Sequence, residues 1–468
     1  MRNNKKAESG RSSQRTARSN HARVGPDALN AVSLFSNCGA GDVGFAQAGF
    51  RFRVMAELDP RRLEIALRNH IGAVGVPGDL RSTWRKVVSA YRDVVGSTPP
   101  ALLAACPPCQ GMSSARSGRG SWDDADAGSR DARNLLVVVV AKVANALKPR
   151  VVVVENVEAF LSRKVRHPRT GRSVSAATLL VTLLAREYEV FPLLANLADF
   201  GVAQNRKRAF LTFLRRDEGG LRGLLESGWA PYPRPSYAAD SKGLPHITVA
   251  EALQELRLGA LDASSQETAG TGLHSVPIWG RDHRYAMVSA IPPGSGGSAW
   301  QNNSCGACAE TVTDEDAAEC SNCKVPLLRP VVRGRGGRYR LVRGFRTTSY
   351  RRMSPDAPAS TITTASGHVG SDITLHPYEN RVLSMAECAH LQTFPESFDW
   401  GDALDRWGSS NVRAMIGEAV PPRFTHAHGQ AIVGVLTGTW TVGPLGIYDP
   451  RFQSALGKLG LRGLYTRA

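Results

Sequence analysis

The chain has 468 residues, of which 42% are hydrophobic and 21% charged, enough apolar material for two or three packed units, so a disordered, fibrous or collagen-like protein is excluded. Lys and Arg number 58 against 41 Asp and Glu, and the resulting +17 points to a polyanionic partner. Nucleic acid is favoured over a membrane, because no apolar stretch reaches the roughly 18 residues needed to span one and the Val-rich runs are broken by Lys142, Lys148 and Arg150.

Residues 1 to about 26 are rich in Arg, Ser and Asn without apolar periodicity and read as a flexible basic arm; no apolar leader follows, so a cytoplasmic location is expected. From Ala31 the pattern becomes strand, tight turn, helix: the apolar run to Phe35 ends in Cys38-Gly39-Ala40-Gly41-Asp42, and Phe45, Ala46 and Phe50 have helical spacing. A strand over Phe52 to Leu58, a helix over Arg61 to Asn69 and a strand end at Val74 to Asp79 follow. Apolar runs continue at Ala101 to Ala105, Val137 to Val143 as helix, Val151 to Val154 as strand, Ala176 to Arg186 as helix and Ala209 to Leu214. This alternation predicts an α/β, doubly wound, mostly parallel sheet covered on both faces. Near Asp217 the rhythm is lost, and 217 to about 375 read as a separate, irregular, β-leaning unit rich in Gly, Pro and Ser. Helical periodicity returns at Ser384 to Thr393, near Asn411 to Met415 and at Gln430 to Leu436, so the expected organisation is an arm (1–26), a first catalytic segment (27–216), an inserted unit (217–375), a return to the catalytic unit (376–440) and an extension (441–468).

In a doubly wound sheet, ligands sit at the carboxyl ends of strands. Four such ends occur in order: Phe35 to Asp42, Glu57-Leu58-Asp59, Gly78-Asp79-Leu80 and Cys106-Pro107-Pro108-Cys109-Gln110. The first suits a nucleotide-like cofactor, the acidic end of the second suits ribose hydroxyls, and the aspartate of the third suits an adenine amino group. Taken singly, each reads as a helix cap or turn; their ordered succession favours a ligand site. Cys109, after two prolines, is placed as a nucleophile, with a Cys106-x-x-Cys109 metal or redox pair as the alternative. Glu155 ends an apolar strand, where a general acid is useful and a solvated cap is the ordinary case.

Together these residues resemble the DNA cytosine-5 methyltransferase family. The likeness lies in Leu34 to Phe45, Pro107-Pro108-Cys109-Gln110-Gly111, Asp131 to Leu135, Glu155-Asn156-Val157, Gln204-Asn205-Arg206-Lys207-Arg208, Arg381 to Pro395 and Ile416 to Pro422. It covers about 31 to 216 and 376 to 437. Asn37 and Ala40 stand where the family often has glycine, and Glu418 where asparagine is common. The resemblance implies methyl transfer from S-adenosylmethionine to C5 of a flipped-out cytosine through a covalent bond from Cys109 to C6. Glu155 would engage N3 and the exocyclic amine, Arg208 would hold O2, and Arg206 would support the site. It implies a cofactor site built from Phe35, Ser36, Cys38, Gly39, Gly41, Glu57, Leu58, Asp79, Leu80, Pro107, Glu418, Ala419 and Val420, and closure over the base by the mobile-looking segment Gly111 to Asp126. The expected partner is double-stranded DNA, with no membrane, a monomeric form, a nucleoid-associated location and a restriction endonuclease as functional counterpart. An RNA cytosine-5 methyltransferase is the alternative, and it would be expected to lack a large arginine-rich recognition unit.

The middle unit carries its own chemistry. Cys305-x-x-Cys308 and Cys320-x-x-Cys323, eleven residues apart, have the spacing of a closed structural zinc site. Directly after them, Arg329 to Arg352 holds nine arginines, no acid and no lysine, interleaved with Tyr339, Phe345 and Tyr350, and reads as a DNA-contacting surface. Only ten of the 58 basic residues are lysines, an excess that a GC-rich coding bias explains, so the clustering of arginine carries the signal rather than its total.

Overall fold

A computed structural model describes residues 29–108, 131–238, 243–343, 346–461 and 465. The basic arm, Cys109, the segment Gly111 to Asp126 and Phe345 lie outside the described residues. The first half of the chain alternates as β1 (Asn30–Leu34), α1 (Ala40–Gln47), β2 (Arg51–Glu57), α2 (Pro60–Asn69), β3 (Val74–Pro77), α3 (Leu80–Val95), β4 (Leu102–Ala105), α4 (Val137–Leu147) and β5 (Val151–Asn156). A small ladder, β6 (Lys164–Arg166) with β7 (Ser173–Ser175), leads to α5 (Ala176–Leu184), β8 (Tyr188–Asn196) and β9 (Lys207–Arg215).

These strands form one seven-stranded sheet in the order β3-β2-β1-β4-β5-β9-β8. All five strands from β3 to β5 pair in parallel, whereas β9 runs antiparallel to both β5 and β8. The reversal has a simple cause: a parallel return needs a crossover of about a dozen residues or more, and only a ten-residue connection with a single 3₁₀ turn separates β8 from β9. Side chains alternate between the faces. Val32, Leu34, Leu103, Ala105, Val152 and Val154 pack against α3, α4 and α5, while Ala31, Leu102, Ala104, Val151 and Val153 belong to the opposite core. Two helices absent from or shortened in the sequence reading have evident local causes. Asp79 caps the N-terminus of α3, and Leu80, Thr83, Val87, Val88 and Tyr91 give that helix a buried stripe. Asp59 caps α2, which starts on Pro60.

The chain continues through α6 (Gly219–Glu226) and β10 (Trp229–Pro233), whose Leu221, Leu224, Ala230 and Tyr232 join the sheet's second core, so the segment just after Asp217 packs on the sheet. Beyond it, regular elements are short: β11 (Tyr237–Ala238), β12 (Leu244–Pro245), α7 (Val249–Glu255), β13 (Gly270–Thr271), β14 (His274–Ser275), α8 (His283–Ser289) and the hairpin β15 (Val331–Arg333) with β16 (Tyr339–Leu341). The last part comprises α9 (Met385–Leu391), α10 (Ala403–Glu418), α11 (Pro422–Thr437), β17 (Pro444–Gly446) and α12 (Pro450–Leu459). The extension is integrated: β17 pairs with β10, and Phe452, Leu456 and Tyr465 pack in the second core with Phe191 of β8.

What positions the site is the return of α11 onto α1. A β-carbon at Gly44 would lie 2.1 Å from Thr425 Oγ1 and 2.2 Å from the Pro422 carbonyl oxygen, so only glycine permits this approach. The Thr425 hydroxyl then donates to the Gly41 carbonyl at 2.7 Å, fastening the two sequence-distant segments together.

Candidate active site

The turn after β1 is wound through left-handed backbone at Phe35 (φ 56°), Asn37 (φ 49°) and Gly39 (φ 77°). Asparagine is among the residues that tolerate this region best, which explains how Asn37 replaces a glycine without opening the turn. Glu57, at the end of β2, holds the turn in place: one oxygen accepts the Asn37 N–H at 2.8 Å and the other accepts the N–H groups of Leu58 and Asp59 at 2.8 and 3.2 Å. His70 contacts the Gly39 carbonyl at 3.0 Å from below.

Above the turn is a cleft of roughly 520 Å3, counted to its open mouth. It is lined by the ends of β1, β4 and β5, the start of α1 and the Glu418-Ala419-Val420 segment that joins α10 to α11. Of the residues expected to bind a cofactor, Phe35, Ser36, Gly41, Glu418, Ala419 and Val420 line it. Cys38 does not: it is fully buried among Ile65, Met415 and Ile416, and burial pushes its thiol up to about 12. Leu80 is buried in the first core, Leu58 is 67% exposed, and Asp79 spends its carboxylate on the Arg81 backbone and guanidinium, which lowers its pKa. Sequence reasoning missed Asn37 and Asp42. The Asn37 side-chain oxygen is buried without a donor among the described residues, a polar atom suited to a ligand hydrogen bond. Asp42 is pushed up to about 7 by burial, against the opposing effect of a 2.7 Å hydrogen bond from Ser33. Glu418, the departure from asparagine, forms an ion pair with Arg62 of α2.

At the inner end of the cleft, Glu155 of β5 meets Arg208 of β9, with Arg208 Nε 2.9 Å from Glu155 Oε1 and both side chains largely shielded. Burial raises the Glu155 pKa despite the neighbouring Arg208 and Arg206 charges. Cys106 also hydrogen-bonds to Glu155, so its thiol has a use other than the metal pair considered for it. Next along β5, Asn156 donates to the Pro107 carbonyl at 2.9 Å, pinning the Pro-Pro segment that leads toward Cys109 beside the strand that carries Glu155. Arg206 faces the other way. Fully buried, it donates to the carbonyls of Ile362 (3.2 Å), Gly417 (3.0 Å) and Ala419 (3.0 Å), and so positions the wall of the cleft rather than its contents. Gln204 assists from the same segment by accepting the Ile362 N–H at 3.0 Å.

Far along the chain, the four sulfurs of Cys305, Cys308, Cys320 and Cys323 lie within 4.8 Å of one another, with 3.5 Å between Cys305 and Cys323 and 3.6 Å between Cys308 and Cys320. A tetrahedral centre with metal–sulfur bonds of about 2.3 Å requires sulfur separations of about 3.8 Å, so the set fits zinc. Backbone N–H groups of Cys308 and Ala307 lower the Cys305 pKa, favouring the thiolate that a metal needs. The arginine run divides in a way that its sequence does not disclose. Arg329 and Arg352 are buried and serve the interior, whereas Arg333, Arg335, Arg338, Arg340, Arg343 and Arg346 are exposed.

The C-5 cytosine-specific DNA methylase family matches residues 29–434. The type II methyltransferase M1.HgaI of Avibacterium volantium is 25% identical over 402 residues, 84% of this chain and 94% of its own length. The type II methyltransferase M.NgoFVII of Neisseria gonorrhoeae is 26% identical over 413 residues, 87% of each chain. Among solved structures, one from E. coli described as a prophage-encoded DNA modification methyltransferase superposes with a TM-score of 0.51 at 18% identity, covering 87% of this chain and 99% of its own, a likeness of fold.

Proposed function

The chain belongs to the C-5 cytosine-specific DNA methylase family and is therefore an enzyme that methylates cytosine in DNA at C5; we propose that Cys109 is its nucleophile and that Glu155 and Arg208 hold the reacting base. The observation that carries the site assignment is the shielded Glu155–Arg208 pair at the inner end of the cleft, on the strand to which the Pro107 carbonyl is tied. Bound in that cleft, S-adenosylmethionine supplies an electrophilic methyl group. The turn Phe35 to Gly41 and the segment Glu418 to Val420 would hold it, and Glu57 acts there as the staple of the turn.

The chemistry follows from what cytosine lacks: C5 is too weak a nucleophile to take the methyl group directly. The Cys109 thiolate adds to C6, forming an S–C6 bond and pushing electron density to C5. Glu155, whose protonated form burial favours, donates toward N3 as the ring gains charge, and Arg208 steadies the carbonyl at O2. After C5 is methylated its proton leaves, the S–C6 bond breaks and the thiolate is restored. The base is presented outside the stack, since a duplex hides C6. Glu155→Gln is expected to slow methyl transfer by ~10²- to 10⁴-fold with little change in cofactor affinity. Because the raised pKa keeps Glu155 protonated above the ordinary carboxylate range, wild-type kcat/KM falls as pH rises through that raised value, and the Gln variant lacks this limb. A collapse of cofactor affinity in the variant would show that the residue belongs to the donor site instead.

We further propose that the four-cysteine cluster holds one structural zinc and that the region between the two catalytic segments selects the DNA sequence. Elemental analysis of protein purified without chelator should give one zinc per chain, and chelation should loosen 305–323 while the sheet stays folded; absence of zinc would refute the assignment. The type II relatives support a restriction endonuclease counterpart, and DNA as substrate supports a nucleoid-associated protein of the cytoplasm, for which we propose a monomeric form. Among the described residues no helix is long and apolar enough to cross a membrane. The RNA alternative is disfavoured by the DNA methylase family match. Expression in a methylation-free host followed by bisulfite sequencing of its DNA tests activity and recognised site together.

A further inference from the structure

We infer that the hairpin β15–β16 is an arginine ribbon that enters a groove of duplex DNA, and that the four-cysteine module is its footing, so that the metal site governs sequence selection. The inference rests on the assignment of the enzyme to duplex DNA.

The nine arginines of 329–352 sort by what their guanidiniums touch. Arg329 is spent on the carbonyls of Asn302 (2.9 Å), Asp314 (2.6 Å) and Ala317 (3.0 Å) and on the Asn303 side chain (2.6 Å), clasping the segments that flank Cys305 and Cys320. Arg352 is spent on the carbonyls of Ile291 and Val288 (each 3.1 Å) in the middle unit and of His376 (3.0 Å) at the start of the returning segment. Arg351 donates to the Gly296 carbonyl at 2.8 Å, Arg346 pairs with Asp316 at 2.5 Å, and Arg333 donates to the Gly337 carbonyl at 3.3 Å, bracing the tip of the hairpin. Arg335, Arg338, Arg340 and Arg343 remain, all exposed and, among the described residues, without a hydrogen-bond or ion-pair partner.

The register places these groups outward. Val332 pairs with Arg340, while Val331–Leu341 and Arg333–Tyr339 occupy the alternate face, on which Val331, Leu341 and Tyr339 are half-buried. Arg338 and Arg340, two apart, therefore share the open face, with Arg335 at the tip. The tip turns through Gly336 and Gly337 (φ 89° and 84°) and closes with Gly334 N–H on the Arg338 carbonyl at 2.8 Å. A two-stranded ribbon is an element that the major groove admits, and unpaired guanidiniums match both phosphate and guanine edges. The ribbon is tied to the metal module: at its tip-proximal pair the Tyr339 N–H donates to Glu319 at 2.6 Å, the residue before Cys320, and beyond the ladder Arg346 lies 5.6 Å over Trp300 while it holds Asp316.

The test uses the full chain with all four exposed arginines changed to alanine, and in parallel to lysine, measuring duplex binding against salt, the methylated motif by bisulfite sequencing, and S-adenosylmethionine affinity by calorimetry. The alanine variant should bind duplex at least about tenfold more weakly at low salt, with a salt slope shallower by about 0.9 for each phosphate that an arginine no longer neutralises, and with unchanged cofactor affinity as the folding control. Lysine that restores affinity but not the motif marks base reading by guanidinium forks; lysine that restores both marks phosphate contact, and either supports the ribbon. Chelation of zinc from the wild-type chain should reproduce the alanine phenotype. An alanine variant with wild-type affinity and motif overturns the ribbon, and a metal-free chain with wild-type selectivity overturns its footing. A wild-type chain that methylates no duplex overturns the enzymatic reading itself, and with it the partner assigned to the ribbon.

Discussion

Cys109→Ser is expected to lose methyl transfer by about 10⁴-fold or more while keeping its affinity for duplex DNA and for S-adenosylmethionine. The argument starts with the nucleophile. A thiol ionises near pH 8.5 and its thiolate is soft enough to add to C6, whereas a serine hydroxyl stays protonated at neutral pH. Without the S–C6 bond, C5 does not gain the electron density it needs to attack the methyl group. Binding is carried by other groups. The cofactor cleft is lined by the turn after β1 and the α10–α11 joint, and the Asn156 to Pro107 hydrogen bond uses a backbone carbonyl two residues before the substitution. Quench-flow methyl transfer with radiolabelled donor, beside anisotropy titration with duplex, separates the two quantities. Turnover by the serine variant at the wild-type rate would remove Cys109 from the mechanism.

The strand-end motifs were legible because their chemistry is local: a tight turn after β1, a carboxylate closing β2 and another closing β5 are each short runs at a predictable place in a doubly wound sheet. Which partner each side chain takes was not. Glu57 reads as a ribose ligand, and its oxygens also accept three backbone N–H groups of the neighbouring turns, a stapling role that the sequence does not disclose. Arg206 and Arg208 are indistinguishable by type, and strict alternation would put residues two apart on one face; Arg206 instead precedes β9 and turns into the α10–α11 joint, while Arg208, within β9, reaches Glu155. The approach of Thr425 to Gly41 joins residues 384 positions apart, and nothing in either segment alone announces it. Arg329 and Arg352 illustrate the same limit, since an arginine that clasps carbonyls in a core is written with the same letter as one that faces DNA. The helix α3 was legible and overlooked: its apolar stripe lies between the arginines and lysine that mark its solvent face.

The second large effect is on stability and lies in the segment Arg381 to Leu391. Arg381 and Glu387 form a bidentate pair, Nη1 to Oε2 at 2.7 Å and Nη2 to Oε1 at 2.8 Å, with both residues buried. Glu387 is also the third residue of the capping box that starts α9, accepting the Ser384 N–H at 2.7 Å. Burial alone would raise its pKa, but the Arg381 hydrogen bonds and charge outweigh that and hold it at about 2, against an ordinary 4.5. A folded-state value below the unfolded one means stability that is complete above about 4.5 and lost as pH falls toward about 2. His376, 3.8 Å from Glu387, acts in the window above: burial, reinforced by the Arg381 charge, lowers it from 6.5 to about 4, so it must take up a proton on unfolding and stability already declines below pH 6.5. Glu387→Ala strands a buried guanidinium and removes half of the capping box, and it is expected to cost ~3–5 kcal/mol at neutral pH. Replacing both partners with methionine should recover part of that loss, because the desolvation of two charges disappears with them. Thermal melts of wild type, Glu387→Ala and the double variant between pH 7 and 4 test this. The alanine variant should melt several degrees lower at pH 7, and its deficit should shrink only below pH 4.5, where the wild-type carboxylate begins to lose its advantage; an alanine variant as stable as wild type at neutral pH would show that the pair contributes nothing to holding α9 against the cleft wall.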